Sequence, residues 1–153
     1  PAVALFRHTA VFTPENFATS SSSCLTFGPV VIQPDLSAST TSSIISCVIF
    51  GGEKEITTTN MTHNTAVAGV ISTNPAYLMN NEIDGLPVAL TGRVPCYVKG
   101  PVQKGTVLVT SDVAGVAEAL NNSLYSPGCI IGKSLESIET NEIKLIEVVV
   151  GRF

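Results

Sequence analysis

The residues that most often do chemistry in proteins are few in this chain, and they lie far apart. The two histidines, His8 and His63, are not set in a known catalytic signature, and the Gly-x-Ser-x-Gly turn of serine hydrolases does not occur. A zinc site takes four ligands, which usually come in closely spaced pairs. The cysteines form no such pair: Cys24, Cys47, Cys96 and Cys129. The sequence therefore predicts no enzyme activity, no metal site and no cofactor.

The cysteines fit a structural role better than a chemical one. Cys47 precedes Val-Ile-Phe and Cys129 precedes Ile-Ile, so both lie in apolar runs. A free thiol in such a run packs as a small apolar side chain. Free thiols also favour assembly in a reducing cytoplasm, in which disulfides are rare.

The composition indicates a single domain that buries surface against other subunits. Of its 153 residues, only 13% are charged and 44% are hydrophobic, whereas about a quarter of residues are charged in a typical soluble domain. No apolar run approaches the roughly 20 residues of a transmembrane helix, which argues against membrane insertion. The net charge of −4 and the lack of a basic cluster argue against nucleic acid as a partner. A homo-oligomer accounts best for the apolar excess.

The elements that would position any site are β-strands. Short apolar runs, often with alternating polar residues, are separated by Gly, Pro, Asn and Asp turns, which is typical of an all-β barrel or β-clip. The predicted strands are Val30–Ile32, Ile44–Phe50, Glu55–Thr59, Ala66–Ser72, Val88–Leu90, Arg93–Lys99, Thr106–Thr110, Cys129–Ser134 and Lys144–Val150. The run from Ile143 to Val150 is rich in β-branched residues and is predicted to be a central strand. Helix is expected only as brief turns, at Ala76–Met79 and Ala117–Asn121.

The first 46 residues differ from the rest. They are rich in Ser and Thr, contain no strong helix pattern, and carry isolated apolar residues. We interpret residues 1–46 as an extended arm, with short strands at Val3–Phe6 and Leu25–Phe27, and residues 47–153 as a β-rich globular domain. The arm would become ordered by lying on a neighbouring molecule and adding strands to exposed sheet edges.

Four motifs in residues 47–152 resemble the C-terminal domain of phage tail-fibre and neck-appendage proteins, a family of intramolecular-chaperone or G2-type autoproteolytic domains. The motifs are Phe-Gly-Gly-Glu-Lys-Glu (50–55), Val-Ala-Gly-Val-Ile-Ser-Thr-Asn-Pro-Ala-Tyr-Leu-Met-Asn (67–80), Ala-Leu-Thr-Gly-Arg-Val-Pro (89–95) and Gly-Cys-Ile-Ile-Gly-Lys-Ser-Leu-Glu (128–136). The resemblance implies a compact, trimeric β domain in a phage virion. Fold alone does not fix function.

The autoproteolytic members of that family resemble one another at a Ser-Asp junction followed three residues later by Glu. Aligning this chain with that pattern puts Pro34 at the Ser, Asp35 at the Asp and Ala38 at the Glu. Peptide cleavage needs a nucleophile and a group that moves its proton, and Pro and Ala supply neither. Self-cleavage is therefore predicted to be lost, and Asp35 is interpreted as a turn residue.

Two residues of the globular domain are candidates for assembly or attachment. Tyr77 is either a platform for a receptor or a plug at the end of the domain or at a trimer axis. Arg93 lies in a predicted strand and either pairs across a subunit interface with an acidic residue such as Glu82, Asp84 or Glu147 or is simply exposed. Pairing in a buried interface would make Arg93→Ala costly. The arm's candidate contacts are its apolar residues: Val3, Leu5, Phe6, Val11, Phe12 and Phe17.

These observations predict a structural virion protein: a trimeric capsid decoration or cement protein that is assembled in the host cytoplasm and holds the major capsid protein, or another virion protein, through its arm. The tip of a long fibre would normally continue upstream into a shaft, whereas this sequence starts with an arm, which favours a decoration protein. One alternative is a tail-fibre, neck or baseplate component with a host receptor, bound near Tyr77 or Tyr125. The others are an autoproteolytic intramolecular chaperone and a β-clip module for a small sugar-like ligand.

Overall fold

A computed structural model of the chain describes residues 30–32, 45–53, 55–79 and 85–151. Ten strands and one short 3₁₀ helix make up the regular structure of these residues, which confirms the all-β prediction. In chain order the strands are β1 (Val30–Ile32), β2 (Cys47–Phe50), β3 (Ile56–Thr57), β4 (Val67–Ile71), β5 (Leu86–Ala89), β6 (Gly92–Lys99), β7 (Val107–Thr110), β8 (Ala117–Ala119), β9 (Ile130–Ser134) and β10 (Ile143–Val150).

The second half of the chain forms a small closed barrel with the strand order β10-β6-β8-β7-β9. Strands β6 and β10 pair antiparallel over eight residues each, and β10 also pairs with β9, which closes the ring. Successive side chains of a strand point to opposite faces, so Val94, Cys96 and Val98 of β6 are buried inside the barrel while the residues between them face outward. The central position predicted for β10 agrees with this pairing on both sides.

The other five strands form an antiparallel sheet with the order β1-β5-β4-β2-β3. Its pairing shifts between β2 and β4, because Val48 lies opposite Gly69 and Ile49 lies opposite Val67. Ala68 is thus the additional residue of a β-bulge, which lets β4 place Val70 in one apolar cluster and Ala68 in another. The sheet therefore buries apolar residues on both of its faces.

The core is shared between the sheet and the barrel. Cys47, Val70 and Ala89 of the sheet belong to the same buried cluster as the barrel residues Leu108 and Val148. A buried cluster that draws residues from both sheets makes the two sheets one packing unit.

The structure corrects the two predicted helical turns. Ala117–Ala119 is strand β8, which pairs parallel with β6 and antiparallel with β7, and the 3₁₀ helix lies just after it at Asn122–Leu124. Residues 76–79 contain no helix. Both segments were too short to offset the cost of nucleating a helix, and for β8 the pairing on both sides decides the outcome. No helix in the described ranges is long and apolar enough to cross a membrane.

One piece of the predicted arm belongs to the sheet. Val30–Ile32 pairs antiparallel with β5 as an edge strand, with Val30 opposite Val88 and Ile32 opposite Leu86. The remainder of the predicted arm, apart from Ile45 and Ser46, lies outside the described residues, and so do the strands predicted at Val3–Phe6 and Leu25–Phe27.

Candidate interaction surfaces

The structure places two of the predicted site residues, and both are exposed. Tyr77 has 66% of its surface accessible, and Arg93 lies on the outward side of β6. Neither contributes to the core. The six apolar arm residues, Val3 to Phe17, lie outside the described residues, so the structure does not bear on their predicted contacts.

An exposed apolar strand surface lies on the outside of the barrel, where β6 and β10 run side by side. The register puts Tyr97 opposite Leu145 and Lys99 opposite Ile143, so these four side chains share the outward face. Ile143 and Leu145 are 45% and 46% exposed. We call this surface the outer ribbon face; its members on the two strands are Arg93, Pro95, Tyr97, Lys99, Ile143, Leu145, Glu147 and Val149.

Two ion pairs flank the apolar part of the outer ribbon face. Arg93 Nε donates to Glu147 Oε2 at 2.8 Å, and Lys99 Nζ donates to Asp112 Oδ1 at 2.7 Å. The hydrogen bond from Arg93 to Glu147 raises the pKa of the guanidinium, and the bond from Lys99 holds the pKa of the Asp112 carboxyl below its usual range. Arg93 was predicted either to pair across a subunit interface or to be exposed; it is exposed, and it pairs with Glu147 of its own chain. Solvent-exposed pairs of this kind contribute little to stability.

A second surface feature is a cleft between the sheet and the barrel. Its volume is about 390 Å³, within the range of ordinary ligand sites. Phe50 and Tyr125 line it and are each about half exposed, at 47% and 52%. We call it the aromatic cleft; the described residues that line it are Phe50, Thr65, Ala66, Val67, Tyr125, Pro127, Gly128 and Ile130, of which none is charged.

The cleft has a fixed shape because its two walls touch at one end. Gly128 adopts a φ of +92°, and a Cβ at this position would collide with the carbonyl oxygen of Thr65. Glycine alone combines that conformation with so close an approach. The Asn64 side chain accepts a hydrogen bond from the Ala66 amide at 2.8 Å, which forms an Asx turn beside the contact.

The loop that carries Thr65 is fastened to the barrel by one buried hydroxyl. The Thr110 side chain donates to the Met61 carbonyl and accepts from the Asn64 amide, both at 2.9 Å, and Thr110 has no exposed surface. The His63 amide donates to the Thr110 carbonyl at 3.1 Å, and His63 Nε2 accepts from the Asn121 amide at 3.0 Å. His63 therefore takes part in this fastening through both its backbone amide and its ring.

We expect Thr110→Val to loosen the loop at residues 59–66. Valine keeps the volume of threonine but leaves two part-buried backbone groups, the Met61 carbonyl and the Asn64 amide, without their partner, at a cost of about 1 kcal/mol. Hydrogen exchange at residues 61–66 should become faster, and the unfolding midpoint in urea should fall. The exposed Thr73 provides the control, since Thr73→Val should change neither quantity. Unchanged exchange in Thr110→Val would show that the hydroxyl does not fasten the loop.

Three cysteines are buried free thiols, as the apolar-run interpretation predicts: Cys47, Cys96 and Cys129. Burial raises the pKa of Cys47 from 9.0 to about 12. Burial also raises the pKa of Cys96, to which the proximity of Cys47 adds a smaller upward effect. A thiol held in its neutral form is a poor nucleophile and a poor metal ligand, so these residues act as core side chains.

The Cys47 thiol should therefore react with an alkylating reagent much more slowly in the native protein than in the unfolded protein. At pH 8, a rise in pKa of about three units lowers the Cys47 thiolate population about a thousandfold, so peptide mapping should find Cys47 modified by iodoacetamide only after denaturation. The native state keeps the proton that the unfolded state loses above pH 9.0. The stability associated with this thiol is therefore complete below pH 9 and declines as the pH rises toward 12. Rapid labelling of native Cys47 would contradict its burial.

No protein-family model, no curated protein and no solved structure matches this chain. The resemblance to the phage appendage domain therefore stays a prediction.

Proposed function

We propose that this chain is a non-catalytic structural component of a phage-like virion. In this role it is a homo-oligomeric decoration protein, trimeric as the resemblance implies. Its copies associate through the outer ribbon face, and residues 1–46 hold a neighbouring subunit or the major capsid protein. The observation that carries the proposal is the half-exposed apolar surface around Leu145 and Ile143.

The outer ribbon face has the anatomy of a protein interface. Apolar side chains lie at its centre, and the pairs Arg93–Glu147 and Lys99–Asp112 lie at its rim, which matches the apolar core and polar rim of known interfaces. An apolar patch bordered by polar residues marks an interaction site more often than a free surface.

The charges of the rim favour a second copy of the chain as the partner. Each ion pair supplies one positive and one negative group, so the face is neutral as a whole. Copies of the face that meet around a threefold axis can exchange ion-pair partners without leaving a charge unpaired, which keeps the desolvation cost of association low. A strongly acidic or basic partner would lack this complementarity. The low charge content of the sequence, 13%, agrees with burial between copies.

The arm's proposed action follows the pairing of β1. Val30–Ile32 attaches to an exposed edge of the sheet by antiparallel hydrogen bonding, and strand addition of this kind is a common mode of recognition. The same antiparallel backbone hydrogen bonding would let other parts of residues 1–46 pair with an exposed sheet edge of a protein on the particle. The virion setting itself comes from the resemblance, not from this geometry.

Immunolabelling of intact particles by electron microscopy tests the proposal. Label on the head supports a decoration protein, and deletion of residues 1–29 should then abolish attachment while leaving β1 and the domain intact. Attachment that survives this deletion would refute the arm mechanism. Absence of label from mature particles would refute the virion role and favour the released chaperone.

A tail location is the second candidate function. It is favoured by the exposure of two tyrosines, Tyr77 at 66% and Tyr125 at 52%, since exposed tyrosines supply rigid contact area at recognition surfaces. Label on the tail would support it. Alanine substitution of each tyrosine should then reduce adsorption of particles to the host.

A further inference from the structure

We propose that His63 is a pH-sensitive link between the two walls of the aromatic cleft, made while its ring is neutral and broken when the ring gains a second proton. The link is the hydrogen bond that the Asn121 amide donates to His63 Nε2 at 3.0 Å. The inference goes beyond the proposed function and does not depend on association between copies.

The link joins the chain segments that carry the two walls. His63 lies two residues before Thr65, which lines the cleft on one side. Asn121 is the N-cap of the 3₁₀ helix, which leads directly into Tyr125 on the other side. Loss of the link would leave the walls in contact at Gly128 and Thr65. The segment from Asn121 to Tyr125 would then be the part that becomes free to move.

The chemistry of the ring makes this bond dependent on pH. An imidazole nitrogen accepts a hydrogen bond only while it carries no proton. Because Nε2 of His63 accepts from the Asn121 amide, the proton of the neutral ring lies on Nδ1. A second proton would convert Nε2 into a donor that faces another donor. Histidine changes charge between about pH 5 and pH 8, so the link is complete above this range and is lost as the pH falls through it.

The neutral arrangement of His63 is also held at some cost. Its Nδ1 is buried, and no polar group of the described residues lies within hydrogen-bonding distance of it. A buried donor without a partner costs free energy. The backbone of His63 has a φ of +54°, which residues other than glycine seldom adopt. Both features make it easier for the ring to leave this position once the bond to Asn121 is lost.

A nearby carboxyl gives the protonated ring a different partner. Glu118 of β8 interacts electrostatically with His63, and the paired Asp112 and Lys99 lie close to Glu118. The groups that β7 and the N-cap of the 3₁₀ helix present to His63 are uncharged. A carboxylate attracts an imidazolium more strongly than a neutral ring. Protonation therefore removes one partner of the ring and favours another, which gives the two states that a switch requires.

Nuclear magnetic resonance on the full-length chain, titrated from pH 8 to pH 5, tests the link. A coupling across the hydrogen bond, between the Asn121 amide nitrogen and His63 Nε2, should be present at pH 8 and disappear as the ring ¹⁵N shifts report protonation. Protection of the Asn121 amide from exchange should fall about fivefold, the effect of losing one ordinary hydrogen bond. The Asn64 amide, held by the Thr110 hydroxyl, should keep its protection. Unchanged Asn121 protection while the ring titrates would overturn the proposal.

Variants assign the response to His63 and connect it with the cleft. With 4-fluorophenylalanine at position 125, the ¹⁹F shift should move between pH 8 and pH 5, and it should stay constant in His63→Gln, which keeps an acceptor but does not titrate. His8 is the other histidine of the chain, so His8→Gln is the matched control and should keep the full response. Glu118→Gln should move the midpoint to lower pH. A response that persists in His63→Gln, or that is lost in His8→Gln, would refute the link.

Discussion

If copies of this chain associate through the outer ribbon face as proposed, replacing Leu145 with aspartate should convert that oligomer into folded monomers. Leu145 lies opposite Tyr97 at the centre of the outer ribbon face and is 46% exposed in the isolated chain. A carboxylate there would be buried without a partner in the assembled state but hydrated in the monomer. Residues at the centre of an interface carry most of its energy, so association should weaken at least tenfold, which corresponds to about 1.4 kcal/mol. Sedimentation velocity measures the change directly.

Leu124 provides the matched control for this substitution. It is 53% exposed, a little more than Leu145, but lies in the 3₁₀ helix outside the outer ribbon face. Leu124→Asp introduces the same charge and should leave the oligomer mass unchanged. If both variants keep the wild-type mass, the outer ribbon face is not the contact between copies. If both dissociate, net charge and not this surface controls association.

The fold could be predicted from sequence because its main signals are local. Alternation along Gly92–Lys99 and the β-branched run at Ile143–Val150 gave strands whose bounds agree closely with the structure. Strand β8 was missed, since Ala-Glu-Ala carries no β preference and becomes a strand only through its pairing with β6 and β7. Strand propensity depends largely on the surroundings of a residue. For β8 those surroundings are the neighbouring strands β6 and β7.

The candidate surfaces were harder to predict, for two different reasons. In β10 both faces are apolar, so the period-2 pattern could not reveal that Ile143 and Leu145 point outward. The sequence did contain one relevant signal. A barrel strand with apolar residues on both faces indicates that its outward face is covered by another part of a protein. The aromatic cleft had no such signal, because Phe50 and Tyr125 are far apart in the chain and meet only when the sheet packs on the barrel.

Replacing Leu108 with alanine should cause a large loss of stability without altering association. Leu108 has no exposed surface, and in the barrel wall it pairs on its two sides with β8 and β9. Truncation of a buried leucine removes its transfer free energy and leaves a cavity, at a cost of about 2–5 kcal/mol. The barrel surrounds the cavity with hydrogen-bonded strands that cannot easily collapse into it. We therefore expect a value in the upper half of that range.

Urea unfolding of the Leu108→Ala and Leu124→Ala variants separates this loss from a general effect of removing a leucine. Leu124 is half exposed, so its truncation leaves no cavity and should change the free energy of unfolding by less than about 0.5 kcal/mol. The urea dependence of the free energy should stay the same in both variants, because both unfold the same surface. Closure of the ring decides the outcome: if the strands were open beside Leu108, β7 could shift to fill the space, and the two variants would unfold at similar midpoints.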